Sequence, residues 1–172
     1  MTSLVRRARP CDAAALPAIE RSAAGLFRLD PQLAWLADAE VAGAELHVQA
    51  IEQARVWVAQ SPEGQLAGFL RAASVDNQLH IEELSVSQHF QGQGIGRKLL
   101  SAVIEHARTQ QLCAVTLTTF TDLPWNAPFY QKIGFQRVNG EETTQYLVDA
   151  LNDEIAHGLP GHRRCAMRLT LP

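Results

Sequence analysis

The run Gln91-Gly92-Gln93-Gly94-Ile95-Gly96 sits where the hydrophobic period changes, and that junction restricts the fold more than any other stretch of the 172 residues. Before it, residues 79–86 alternate as a strand. After it, Leu99, Leu100, Val103, Ile104 and Ala107 recur at three- and four-residue spacing, so the chain continues as a helix with one buried face. Residues 112–119 then make an apolar run of strand length. A strand, a glycine turn, a helix and a second strand form a βαβ unit, whose crossover sets the two strands parallel.

The flanking sequence fits around that unit. Residues 4–8 read as a short strand, and Pro10 with Asp12 turns the chain into an alanine-rich helix that Gly25 ends. A second helical stretch covers residues 33–54, broken near Gly43, with Leu46, Ala50 and Ala54 on one face. Residues 55–60 and 66–75 are strands joined by Ser61-Pro62-Glu63-Gly64, and Asp76-Asn77-Gln78 turns the chain into 79–86, completing a meander. Asn126 is suited to cap a helix carrying Pro128 in its first turn and stopping at Gly134. A strand at 135–138, an amphipathic helix at 145–157 closed by Gly158, and a strand at 164–171 finish the chain. No repeat or linker divides it. The expectation is one α/β (α+β) domain over residues 1–172 with a mixed sheet.

Composition narrows the function. Residues 1–86 hold 7 cationic against 11 anionic side chains and residues 87–172 hold 8 against 7, so nucleic acid is not an expected partner and an anionic ligand suits the second half better. Cys11, Cys113 and Cys165 are odd in number and far apart, which fits neither a disulfide framework nor a zinc ligand set. His47, His89, His106, His157 and His162 show no metal-ligand spacing, so no metal is expected. No apolar stretch approaches a membrane span, and residues 1–10 lack the core of a secretory signal; the expectation is a cytoplasmic protein with no membrane partner. Trp57 and Phe69 read as core, and Arg6, Arg7 and Arg9 as a solvated basic run.

The glycine turn opens a helix whose first N–H groups lack internal partners, an arrangement that suits a phosphate or pyrophosphate. A tight turn that binds nothing is the alternative. The dinucleotide fingerprint would need glycine where Arg97 stands, and the triphosphate loop would need Gly-Lys-Ser/Thr, which does not occur. What the turn does match is Q-x-x-G-x-G, preceded by Glu83-Leu84-Ser85-Val86 and followed by Asn126-x-x-x-Tyr130-x-x-x-Gly134-Phe135. With these residues the sequence resembles the GNAT superfamily of acetyl-CoA-dependent N-acyltransferases, and the order of elements above is also the order of that fold.

The resemblance implies a mostly antiparallel central sheet that splays after the fourth strand, with helices on both faces and the pantetheine arm of acetyl-CoA in the gap. It implies that the backbone at Leu84 and Val86 pairs with that arm. Gln91, Gly92, Gln93, Gly94, Ile95, Gly96 and Arg97 form the coenzyme loop, the N–H groups from Gln93 to Arg97 holding the pyrophosphate. Asn126 adds a coenzyme contact, although a helix cap already accounts for it. An amine attacking a thioester needs a base, donors for the oxyanion and an acid for the thiolate. The family places its acid at the position of Tyr130, and a phenol titrating near about 10 can protonate a thiolate whose acid titrates near about 8.5. The family also places a Glu or His at the positions matching Glu82 and His80, Glu82 being the first choice for the base.

His80, Glu82 and Leu84 share one strand face while Ile81, Glu83 and Ser85 share the other. A bulge would exchange the two glutamates, and ion pairs to nearby arginines are the alternative use of both. The implied activity is acetyl transfer to a primary amine, of a small molecule or a protein, by direct attack. Residues 12–54 and 139–160 set the acceptor, and 139–160 is also a candidate homodimer surface. A non-catalytic acyl-CoA sensor and a protein-interaction module are the other readings of the same fold.

Overall fold

The computed structural model describes residues 2–172 and is built on a seven-stranded sheet in the order β1-β2-β3-β4-β5-β7-β6. The strands are β1 (Leu4–Arg7), β2 (Val56–Gln60), β3 (Leu66–Val75), β4 (Gln78–Val86), β5 (Ala114–Phe120), β6 (Gln136–Val138) and β7 (Arg164–Thr170). The helices are α1 (Leu16–Ala24), α2 (Ala44–Glu52), α3 (Ile95–Thr109), α4 (Ala127–Gln131) and α5 (Gln145–Ala156). Of the ladders, β1–β2, β2–β3, β5–β7 and β6–β7 are antiparallel, and β4–β5 is parallel as the βαβ crossover requires. The β4–β5 ladder runs from Gln78↔Ala114 to His80↔Thr116 and stops there, where the resemblance expects the sheet to splay. No helix among the described residues is long and apolar enough to cross a membrane.

The chain gathers into two compact units, one running to Ala72 and resuming over Glu82–Val103, the other made of Ala73–Ile81 and Ile104–Pro172. In the first, Ala13, Leu16, Ile19, Ala50, Ile51, Val56, Val58 and Phe69 form one apolar cluster, so α1 and α2 cover β2 and β3. Burying such side chains stabilises by about 1.5–3 kcal/mol for each large one. In the second, Val138, Leu147 and Ala166 pack together with Tyr146 and Leu151, which fixes α5 on β6 and β7. Leu99, Leu100, Val103, Ile104 and Ala107 of α3 are all buried, as their spacing indicated.

The turn expected at Asp76-Asn77 is present, and several other local expectations are corrected. Asp76 and Asn77 both take positive φ (47° and 62°), so the β3–β4 connection is a tight two-residue hairpin turn that these residue types tolerate. The stretch 10–25 is a 3-10 helix, Pro10–Ala15, leading into α1, and Gly25 does not end the chain's helical course, which continues as a 3-10 segment to Leu29. A Cβ at Gly25 would come within 2.8 Å of Gln88 Nε2, the end of a flexible side chain that can move aside. The expected helix at 33–54 is only α2 preceded by a short 3-10 turn at Ala34–Asp38. Its inward face is His47, Ala50 and Ile51, whereas Leu46 and Ala54 are exposed.

The basic run is solvated only at Arg9, while Arg6 and Arg7 are half-buried. Arg6 donates to both carboxylate oxygens of the buried Asp12 (2.8 and 3.1 Å), and Asp12 also accepts the Arg9 N–H at 2.7 Å. The Arg6 guanidinium holds the Asp12 carboxyl below the usual range. Arg7 lies 3.9 Å from the Trp57 ring centroid and donates to the Ala54 carbonyl, while Trp57 and Phe69 are core as expected.

Candidate active site

In the first unit, Gly92 and Gly94 both have φ near +76°, a backbone region in which a side chain is strained, and an added Cβ at either would meet only open space. The two glycines are therefore required by the course of the chain, not by crowding. The turn delivers the chain to α3, whose first intrahelical bond is Lys98 N–H to Gly94 O at 3.1 Å, so the N–H groups of Ile95, Gly96 and Arg97 precede the hydrogen-bonded ladder. Ile95 is buried and anchors the helix start, while Gly92, Gln93 and Gly94 are exposed. Gln91 donates from its side chain to the Val86 carbonyl at 3.0 Å, tying the turn to the end of β4. The result is a helix N-terminus of full length with an open approach, which favours an anion.

Along β4, Glu82 is absorbed into an ion-pair network. Its Oε2 accepts from Arg71 Nε at 2.9 Å and from Arg55 Nη1 at 3.2 Å. Glu83 accepts from the Ser85 hydroxyl at 2.7 Å, in agreement with the two residues sharing a strand face. Arg71 extends the network inward, its Nη1 lying 3.4 Å from Nδ1 of His47, which is fully buried and packs edge-on against Phe69. His47 Nε2 in turn lies 4.0 Å from Glu20 Oε2 of α1, and neither of these two buried atoms has a hydrogen-bond partner. Burial, aided by the Arg71 charge, lowers the His47 imidazole to about 4. Burial and the Glu83 charge raise the Glu20 carboxyl to about 7. Leu84 and Val86 are half-buried.

In the second unit His80 is buried, with Nδ1 3.0 Å from the Thr116 hydroxyl and the ring edge-on to Tyr146. Asn126 does not cap α4 with its side chain. Its Oδ1 accepts the Phe120 N–H at 3.2 Å, and its backbone carbonyl accepts the Tyr130 N–H at 3.1 Å. Asn126 thus ties the end of β5 to the helix that carries Tyr130. The Tyr130 ring stands edge-on to Phe129 and Phe135, and its carbonyl accepts the Phe135 N–H at 3.2 Å, so the half-buried phenol sits on a short, braced helix.

Glu20, His47, Arg55 and Arg71 were not singled out by the sequence motifs. A signal existed: Glu20 follows Leu16 by four residues and His47 precedes Ala50 and Ile51 by three and four, so both polar residues fall on the apolar stripes of their helices.

Comparison with known proteins accords with this geometry. A family model described as acetyltransferase (GNAT) domain matches residues 52–137, half of the chain. The chain is 35% identical over 97 residues to N-acetylaspartate synthetase of Danio rerio, covering 55% of this chain and 33% of that protein. It is 33% identical over 107 residues to N-acetyltransferase 8 of Rattus norvegicus, covering 59% and 47%. The chain thus matches only a third to a half of the length of these relatives. The PaiA N-acetyltransferase of Thermoplasma acidophilum, solved in complex with coenzyme A, shares the fold with a TM-score of 0.71 at 15% identity, covering 99% of this chain and 100% of that one. A strand, glycine turn and helix with the right residues, inside a sheet of the right order, together with the family match, show that the chain belongs to the GNAT acetyltransferase family.

Proposed function

We propose that this protein is an acetyl-CoA-dependent N-acetyltransferase that acetylates a primary amine by direct attack in a ternary complex. The observation that carries the reading is the glycine turn: two residues held at positive φ deliver exposed backbone N–H groups to the start of a fifteen-residue helix, an arrangement suited to a pyrophosphate. The residues from Gln91 to Arg97 hold the coenzyme's phosphates, Leu84 and Val86 receive its pantetheine arm, and Asn126 adds a contact while fixing the helix of Tyr130. A backbone N–H near Leu84 polarises the thioester carbonyl. The amine nitrogen forms the new bond to the acetyl carbon, the carbon–sulfur bond breaks, and Tyr130 gives its proton to the departing thiolate. For the proton leaving the amine, the resemblance nominates Glu82 and then His80. The acceptor is an amine of a small molecule or a protein.

Calorimetric titration with acetyl-CoA and CoA, followed by thiol release with a panel of amines, tests this reading. Binding with amine-dependent thiol release is expected. A folded protein that binds neither coenzyme form would leave the turn a structural device and remove the assignment. Within an active enzyme, Tyr130→Phe is expected to lower kcat by about 100-fold with acetyl-CoA affinity unchanged. Wild-type turnover in that variant would take Tyr130 out of the reaction.

A further inference from the structure

Arg168 on β7 is a cation that the motifs pass over and that no side chain among the described residues neutralises. Its Nε is buried without a hydrogen-bond partner, and its two accessible terminal nitrogens bond to nothing among the described residues either. Arg164, four residues earlier on the same strand and the same face, shows a satisfied arginine in a comparable place. It donates from Nε and Nη2 to the two carboxylate oxygens of Glu154, at 3.0 and 2.9 Å, and lies over the Phe120 ring. An ionised donor held partly out of water without an acceptor is costly, so the free guanidinium calls for a ligand that supplies one.

The ladders set Arg168 in a row of four side chains. His80 pairs with Thr116, Thr116 with Arg168 and Arg168 with Gln136, and directly opposed residues of neighbouring strands share one face of the sheet. The row runs from covered to open. His80 and Thr116 are buried and lie 3.0 Å apart, Arg168 is half-buried, and Gln136 is exposed on the edge strand β6. Helix α5 covers the same face. Near its end Glu154 meets Arg164, whereas near its start Leu147 packs on Ala166 and Val138, the pair two residues along from Arg168 and Gln136, and Tyr146 stands edge-on to His80. The first turn of α5 therefore lies beside the row. It carries no acidic residue, and its hydrogen-bonded ladder begins only with Leu147 N–H to Thr144 O at 3.0 Å. A guanidinium and a helix start both favour an anion, and the exposed end of the row gives it entry.

We infer that Arg168 binds a carboxylate of the acceptor, which makes the substrate class an amino acid or another amine that carries an acid group. This rests on the N-acetyltransferase reading above, in which His80 is one of the two residues nominated for the amine proton. With neighbouring strands about 4.8 Å apart, the backbones of His80 and Arg168 stand about 10 Å from each other across β5. Their side chains rise from one face, so a molecule with its amine and carboxylate a few bonds apart fits between them. Its amine lies toward His80, and its two carboxylate oxygens each accept from one terminal nitrogen of Arg168, in the paired geometry that a guanidinium offers. The rung His80↔Thr116 is also the last of the β4–β5 ladder, at the point where the resemblance opens the sheet for the coenzyme arm.

The test uses two amines that differ by a carboxylate exchanged for its amide. Thiol release at saturating acetyl-CoA gives kcat and KM for both in the wild type, Arg168→Gln and Arg168→Lys, and comparing the acid-to-amide ratio between proteins cancels the difference in amine basicity. The ratio of kcat/KM should fall about 30-fold in Arg168→Gln, through KM for the carboxylate amine, with acetyl-CoA affinity held. Arg168→Lys keeps the charge without the fork and should lose less, and it carries the test if the glutamine variant does not fold. Calorimetric binding of the two acetylated products in the presence of CoA repeats the comparison without turnover. The carboxylate product should bind the wild type about 30-fold more tightly than Arg168→Gln. A ratio that stays the same in Arg168→Gln, a loss shared equally by both amines, or a wild type that acetylates only amines lacking a carboxylate overturns the inference and leaves the acetyltransferase reading intact. A wild type that binds neither coenzyme form and releases no thiol with any amine removes that reading, and the role of Arg168 falls with it.

Discussion

Among the described residues two histidines are buried, one in each unit, and their neighbours differ. His80, on β4, meets the Thr116 hydroxyl and the edge of Tyr146. His47, on α2, meets a guanidinium on one side and a carboxyl on the other, and burial, aided by the Arg71 charge, depresses it to about 4. Two buried rings thus differ in what is seen around them: one lies against a hydroxyl, the other is a link in a chain of charges. That chain runs Glu20, His47, Arg71, Glu82, Arg55 across α1, α2, β3, β4 and the residue before β2. Its weak point is the 4.0 Å gap between Glu20 and His47, where two polar atoms face each other unbonded.

The largest way to break the contrast is Arg71→Ala. It removes the group that engages both His47 and Glu82, and leaves a buried imidazole and a carboxylate short of a partner. A loss of about 3 kcal/mol in denaturant unfolding is expected, with His47 titrating closer to its ordinary value in an NMR titration. An unchanged His47 titration would mean that burial alone depresses it.

The pH dependence of stability sharpens it next. His47 at about 4 in the fold, below its ordinary value, contributes stability that is present above about 6.5 and lost as pH falls toward 4. Glu20 at about 7, above its ordinary value, contributes stability that is present below about 4.5 and lost as pH rises through 7. In the wild type the two oppose each other between about pH 4.5 and 6.5, so the melting temperature should change little there. Glu20→Gln leaves His47 alone and should make stability rise with pH over that window, by up to about 3 kcal/mol. A flat profile in the variant would show that the His47 ring is already charged or solvated.

The smallest effect is expected in the second unit. Thr116→Val deletes the hydroxyl on His80 and nothing ionic, and should cost about 1 kcal/mol by denaturant unfolding. A loss as large as that of Arg71→Ala would erase the distinction between the two histidines.

Much of this molecule could be read from its residues. The glycine turn, the buried face of α3, the parallel β4–β5 pair and the helix closed by Gly158 all rest on local periodicity or on backbone conformations that few residues adopt. The turn from Gln91 to Arg97 and the helix that carries Tyr130 were legible because their motifs are local. The site was not legible where partners come from distant segments. Asn126 fits a helix cap by type, yet its side chain bonds Phe120, because the end of β5 is carried to it by the intervening loop. Leu46 is the more apolar of two neighbours, yet the helix turns His47 inward, because its face is chosen by Ala50 and Ile51 together with Phe69 on the sheet.

By itself, then, the sequence determined the element order, the crossover and the turn that suits a phosphate, since hydrophobic period and glycine stereochemistry act over a few residues. Only the tertiary structure decided which carboxylates are neutralised and which are left basic. Glu20 and Glu82 are alike as side chains. The fold sets Glu82 beside two guanidinium groups and Glu20 against an imidazole that burial, aided by Arg71, keeps from ionising, and such charge balances exist only once residues 20, 47, 55, 71 and 82 have been brought together.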